Sequence, residues 1–466
     1  MSTPPRKVFD GFGFSQRSVA GFVQPRSAEE VAAVFRQATE SGVSVAMRGS
    51  GRSYGDAALN GGGLVLDMRQ MRRVLAWDPE HGIIDLEPGF TIREIWQHVL
   101  ADGWWPAVVP GTAWPTIGGC VAMNIHGKNH FKMGGTADHV LELDLVTPAG
   151  ELLTLSREQH RELFFGVLGG FGMLGTVTRV RLKLKRIYSA NLRVWAEPVR
   201  DLDAQLERFQ AATAEHDYVV SWVDCISGGG GLGRGQLHRA KYLHEGEDKS
   251  PNFDPADQDL PGSIMGVPKS IVPRILKLFS TNPGMSLVNF GKYVASLLTP
   301  RSAYLQGHVA FHFLLDYVPN FRSAYEPGGF IQYQPFIPVN HGREVLGEIL
   351  RRTQKRGIVS YLGVLKRYRP DEVLLPHALD GWSLAMDFPV TASNKAELWK
   401  LCHELNDLVV EAGGRFYPAK DSVLRPQDVQ RAWGQERLSR FAALRRQVDP
   451  AGVLSTEWAA RVGLDA

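Results

Sequence analysis

Apolar and polar positions alternate along this chain in short blocks, and the period of each block predicts its element. Ser27-Ala-Glu-Glu30 has capping-box spacing and opens a helical pattern that runs to Ser41, where Gly42 supplies a stop. Residues 43–47 (VSVAM), 64–67 (LVLD) and 83–86 read as short strands, and Thr91-x-x-Glu94 opens a second helix ending at Gly103. Further strands are predicted over 140–147 and 152–155, and the end of LGGFGMLGTVTRVRLKLK alternates as a half-buried strand does. Up to about residue 187 the pattern is that of an α+β domain, with short strands and few helices.

The middle of the chain reads differently. Residues 242–261 (YLHEGEDKSPNFDPADQDLP) are acidic, proline-bearing and weakly patterned, which predicts a mobile surface loop. Within 271–298, Ile271, Val272, Ile275, Leu276 and Phe279 share one helical face, interspersed with Lys269, Arg274, Lys277 and Lys292. The commoner meaning of such a stripe is a helix packed on the domain; the sharper one is a surface that meets a lipid chain or a membrane. A helix is also predicted over 393–410, stopped by Gly413-Gly414.

Composition narrows the classes. The 466 residues suffice for two or three domains, and 52 Lys+Arg against 49 Asp+Glu leave a net charge of +3, too balanced to indicate a nucleic-acid partner. Cys120, Cys225 and Cys402 are far apart and odd in number, so they fit neither a disulfide framework nor a zinc site, and no metal is expected. The N-terminus lacks an export signal, and the longest weakly polar run (163–177) is too short and glycine-rich to span a bilayer. The expectation is a soluble cytoplasmic protein, or one peripheral to a membrane.

Three glycine-rich segments carry the candidate chemistry. RGSGRSYGD (48–56) follows a strand and does not lead into a helix; PGTAWPTIGGCVAMNIHGKNH (110–130) is a second loop; GGFGMLG (169–175) runs into a strand. No Walker sequence occurs, and Gly170-x-Gly-x-x-Gly175 fails as a Rossmann fingerprint because no helix follows it. Two separate loops that each present backbone N–H groups to one pyrophosphate remain, since glycine permits close approach.

In this order the segments resemble the vanillyl-alcohol-oxidase-like family of FAD-linked oxidoreductases. The branch of decaprenylphosphoryl-β-D-ribose 2′-oxidases is similar in particular, through 51–68, 110–120, IHGKNH (125–130), SWVDCIS (221–227), GGFIQYQPFIP (328–338), GWSLAMDFP (381–389) and GGRFYPAKDS (413–422). The resemblance implies an α+β fold: a two-subdomain, PCMH-type FAD-binding domain (1–187), a substrate domain on an antiparallel sheet with flanking helices (188–412), and a C-terminal segment (413–466) that returns to the first. It implies that Arg48, Gly49, Ser50, Gly51, Arg52, Ser53, Tyr54 and Gly55 hold the FAD pyrophosphate, continued by Gly111, Thr116, Ile117, Gly118 and Gly119. Asn124, Ile125 and His126 would lie beside the flavin, Gly170, Gly175 and Val177 would border it, and Tyr417 would close it.

Many relatives attach the flavin through a histidine in the first loop; Arg52 stands at that position, so noncovalent FAD is expected. The implied reaction oxidises a secondary alcohol, with Lys420, His126 and Tyr54 as candidate bases. Lys128, Lys366 and Lys420 would hold a substrate phosphate, Gln332 and Gln334 would hydrogen-bond sugar or flavin, and Trp222 would line the pocket. Relatives carry a cysteine, captured by covalent inhibitors, where this chain has Ala385; activity should survive its absence. The implied substrate is a polyprenyl-phospho-pentose, with a separate NAD(P)H-dependent short-chain reductase as partner and membrane contact at most peripheral; beside the cytoplasmic expectation, the resemblance raises the periplasmic side as an alternative. Two rivals stay open: a sugar oxidase of the aldonolactone or alditol type using O2, and a flavin-bearing partner subunit without chemistry of its own.

Overall fold

The computed structural model describes residues 4–260, 262–264 and 267–465; Pro261, the end of the predicted acidic loop, lies outside them. The rest of that loop is largely exposed and irregular, apart from a short 3-10 turn at Pro255–Gln258.

The N-terminal half builds two sheets. In the first, Leu64–Asp67 runs parallel to both Arg17–Val23 and Val45–Arg48, and Arg6–Asp10 closes the edge antiparallel to Arg17–Val23. In the second, Val74–Asp78, Ile83–Leu86, Thr176–Lys183, Val140–Val146 and Leu152–Ser156 form an antiparallel sheet in that order. The glycine segments leave strand ends: the first loop follows Val45–Arg48, and the third precedes Thr176–Lys183.

Local signals placed the helices. Ser27 Oγ accepts the Glu30 N–H, while the Glu30 carboxylate accepts from Arg26 N rather than from Ser27 N, and the helix Ala28–Ser41 ends at Gly42 in the left-handed region (φ 62°). The Thr91/Glu94 capping box forms with both of its hydrogen bonds.

A third, larger antiparallel sheet runs in the order Tyr304–Gly307, Asn191–Val199, Gly235–Tyr242, Tyr218–Val223, Leu362–Tyr368, Gly381–Pro389, Pro335–Pro338, Arg415–Phe416. Its two faces differ because side chains alternate along a strand. Trp382, Leu384, Met386 and Phe388 are buried, and Trp382 packs edge-on against Phe209 of the helix Leu202–Glu215. Ser383, Ala385 and Asp387 point the other way. Gly381–Pro389 pairs with both Phe330–Tyr333 and Pro335–Pro338, so Gln334 sits in the break between two short strands.

The expected core packing of the 271–279 stripe does not hold. The pattern splits into two helices, Val272–Leu278 and Asn282–Leu298, the second capped by Thr281 Oγ1 accepting Gly284 N–H. Ile271 and Ile275 are exposed, and Val272, Leu276 and Phe279 are only half-buried. The longer helix is inverted. Its buried positions are Asn289 and Ser296, whereas Leu287, Phe290, Val294, Leu297 and Leu298 face outward, Leu298 at 80% exposure. A helix in contact with water has the opposite arrangement.

Candidate active site

A cavity of about 650 Å³ lies between the glycine segments and the outward face of the large sheet, within the size range of cofactor clefts. Arg48, Gly49, Ser50, Gly51, Arg52, Ser53 and Tyr54 line one side. Gly111, Thr116, Gly118, Gly119, Ile125 and His126 come from the second loop, Gly170, Gly175 and Val177 from the third, and Tyr417 from the C-terminal segment. Every candidate substrate residue also lines it: Lys128, Trp222, Gln332, Gln334, Lys366, Ala385 and Lys420.

Three expected cofactor residues do not reach the cavity. Gly55 is pressed against the C-terminal segment, where an added Cβ would meet the Asp421 carbonyl at 2.0 Å. Ile117 is core, at 1% exposure. Asn124 is fully buried in a left-handed turn (φ 40°), its Oδ1 accepting Ala137 N–H and its Nδ2 donating to Asp371. Arg48 lines the cavity, yet its guanidinium is engaged by the carbonyls of Ala58 and Asp10, so it braces the loop.

Other segments brace the first loop through its backbone. Phe12 N–H donates to Ser53 O, Gly13 N–H to Tyr54 O, and Tyr54 N–H to Ala419 O. A Cβ on Gly49 would meet Thr116 Oγ1 at 2.1 Å, so glycine there lets the first two loops touch. Buried Arg52 Nε and Tyr54 Oη have no partner among the described residues, two donors available to a ligand of the cavity.

The three candidate bases are not equivalent. Burial raises the Tyr54 phenol far above its ordinary value, so it holds its proton. His126 has both ring nitrogens engaged: Gln334 Nε2 donates to Nε2 at 3.3 Å, and the Tyr368 hydroxyl lies 3.0 Å from Nδ1. Burial first, then Lys366, keeps that imidazole neutral. Lys420 is different. Its ammonium lies 3.5 Å from the Tyr54 ring centroid, and burial lowers its pKa while Asp387 opposes the shift. Lys420 is thus the candidate that can give up and retake a proton near neutrality.

Asp387 is a site residue that sequence reasoning missed. It is buried, accepts a hydrogen bond from Gln332 Nε2 at 2.5 Å, and its own pKa is raised by burial and restrained by Gln332 and Lys420. Strand alternation held the signal, since Asp387 shares the face of Ala385 two residues on. Lys292 and His238, also unforeseen, line the cavity beyond Trp222. His130, Asp371 and His377 cluster behind His126, but both Asp371 oxygens already accept hydrogen bonds, from His130 and Asn124.

Comparison with known proteins agrees with this geometry. A family model described as an FAD binding domain matches residues 19–156, and one described as D-arabinono-1,4-lactone oxidase matches 330–462. Decaprenylphosphoryl-beta-D-ribose oxidase of Mycolicibacterium smegmatis is 31% identical over 461 residues, covering 97% of each chain. The chain belongs to that family of FAD-dependent oxidoreductases. More distantly, cytokinin dehydrogenase 2 of Arabidopsis thaliana is 26% identical over 63% of this chain and 55% of its own. D-lactate dehydrogenase of Anaerostipes hadrus is 30% identical over 35% of each chain. The α+β architecture and the FAD cofactor are those of the family.

Proposed function

We propose that this flavoenzyme oxidises the C2 hydroxyl of a polyprenyl-phospho-β-D-ribose to the 2-keto sugar. This is the first half of an epimerisation that a separate NAD(P)H-dependent reductase completes. Bound FAD supplies the hydride acceptor. Lys420 takes the hydroxyl proton, and Asp387 and Tyr54 hold its ammonium in place. Gln334, fixed between His126 and Ser383, offers its amide to sugar or cofactor. Lys128 and Lys366, which burial lowers to about 7 and about 8, place positive charge where a phosphate would lie.

The observation that favours a lipid-linked substrate over a soluble lactone is the inverted helix Asn282–Leu298, whose apolar side faces outward while Lys292 reaches the cavity. Between Asp259 and Asp316 the chain has no carboxylate but carries Lys269, Arg274, Lys277, Lys292 and Arg301. An apolar surface ringed by cations suits peripheral contact with an anionic bilayer. No helix among the described residues is long and apolar enough to cross one.

Anaerobic mixing with farnesyl-phospho-ribose should bleach the flavin and yield the 2-keto sugar by mass spectrometry, whereas D-arabinono-1,4-lactone should leave the spectrum unchanged. The reverse pattern would establish the soluble-sugar oxidase. A flavin bleached by neither would leave a partner subunit without chemistry of its own.

The cofactor is held without a covalent bond. His126, His238 and His312 are the histidines among the cavity-lining residues, His126 is already engaged, and Arg52 occupies the linking position of relatives. Acid precipitation should therefore release a yellow supernatant; colour retained in the pellet would overturn this.

A further inference from the structure

We propose that Lys292 is a ligand for the substrate phosphate, carried into the cavity on the inner face of the inverted helix. The proposal rests on the prenyl-phospho-pentose reading above.

Asn289, Lys292 and Ser296 lie three and four residues apart, which puts them on one helical stripe. The two flanking positions are buried, and Asn289 Nδ2 donates to Asp224 Oδ1 at 3.0 Å, so this stripe faces the protein. Lys292 follows the same direction. Its ammonium lies 4.1 Å from the ring centroid of Trp222, which is itself only 7% exposed. Lys292 is exposed, yet the protein packed around its ammonium lowers its pKa to about 8. The two facts agree because the side chain lines the cavity and opens onto it.

A core role does not explain a lysine here. Packing a helix on a sheet calls for an apolar residue between the two buried positions of this stripe, whereas Lys292 stays exposed and sets its ammonium over Trp222 on the cavity wall. His238 feels both Lys128 and Lys292, all three line the cavity, and the chain offers no acid between Asp259 and Asp316. Lys128 donates to the Phe311 carbonyl, which leaves it further N–H groups. Two ammonium groups, one of them over an indole floor, with the neutral His238 imidazole beside them, form a cation cluster suited to an anion.

The sheet supplies a ruler. Ala385 pairs with Val364, and Val364 with Trp222, so Trp222 stands two strand spacings, about 10 Å, from Ala385. Asp387, the partner of Lys420, lies on the same strand and face as Ala385. The reacting end of the cavity and the Lys292 end are therefore separated by a distance that a sugar and its phosphate bridge. The anchor comes from the helix whose outer side is apolar, so the charge meets the phosphate where the prenyl chain must leave.

Lys292→Met keeps a flexible stem over Trp222 and removes the charge; Lys292→Gln is the alternative where the first variant fails to load FAD. With farnesyl-phospho-ribose, KM should rise about tenfold or more, as expected for loss of a charge-assisted hydrogen bond, while kcat stays within about twofold. Inhibition by farnesyl phosphate should weaken in parallel, inhibition by farnesol should not, and Lys292→Arg should restore most of the difference. Lys277→Gln, on the exposed part of the same helix pair, controls for general loss of charge. If wild-type protein reacts and the Lys292 variants match it in KM and in farnesyl phosphate affinity, this proposal is wrong. If the wild type itself is not reduced, the reading of the substrate fails instead.

Discussion

Lys420→Met should slow flavin reduction by the prenyl-phospho-ribose at least about 100-fold, the usual scale for loss of a positioned base, without loss of bound FAD. Methionine preserves the stem that passes Tyr54 and removes only the group that exchanges protons. In the wild type the rate should rise with pH through the neutral range, because Lys420 must be deprotonated to accept the hydroxyl proton, and burial brings that step down from the ordinary lysine range. The sign of the second test follows from Asp387. Its carboxylate raises the Lys420 pKa against burial, so Asp387→Asn should move the rising limb to lower pH. A Lys420→Met enzyme of near-normal rate would return the role to His126, despite its two engaged nitrogens. A limb that moves upward in Asp387→Asn would show that the pair is not the titrating unit.

Much of this site was legible in the sequence because its parts are local. A glycine loop after a strand, a capping box and a period-2 strand each declare themselves within about ten residues. Lys128 and Lys420 stood in short distinctive segments, Lys366 in none, and the cavity brings all three together. What stayed hidden depends on contacts across the chain. Gly55 looked like a cofactor glycine, but the reason for its missing side chain is the Asp421 carbonyl, 366 residues away in the chain. Asn124 sits beside the flavin-side loop in sequence, yet Asp371 draws its side chain the other way. The stripe at 271–279 has the same period whether core or lipid covers it, so periodicity alone could not decide. Burial rules out core: Ile271 and Ile275 are exposed, and in the following helix the polar positions face in and the apolar ones face out.

Arg461→Ala should destabilise the protein by about 3 kcal/mol and loosen FAD, although the residue lies 41 positions beyond Lys420 and is not among those lining the cavity. Arg461 donates to both oxygens of Asp56 at 2.8 Å and to Asp421 at 2.9 Å, and the two carboxylate side chains are each only 4% exposed. Asp56 ends the first glycine loop; Asp421 adjoins Lys420 and also accepts from the N–H groups of Val423 and Leu424 and from Trp458 Nε1. One guanidinium therefore ties the first glycine loop, which lines the cavity, to the turn that carries Lys420. Removing it leaves two buried carboxylates facing each other, a larger loss than that of an exposed pair. The arginine is itself 26% exposed, which sets the effect at the lower end of the range for broken buried pairs. Flavin fluorescence during a thermal ramp checks both consequences, since release of FAD should begin at lower temperature in Arg461→Ala and recover in part in Arg461→Lys. Retention of FAD to the wild-type temperature would mean that the backbone bonds from Phe12, Gly13 and Tyr54 suffice to hold the loop.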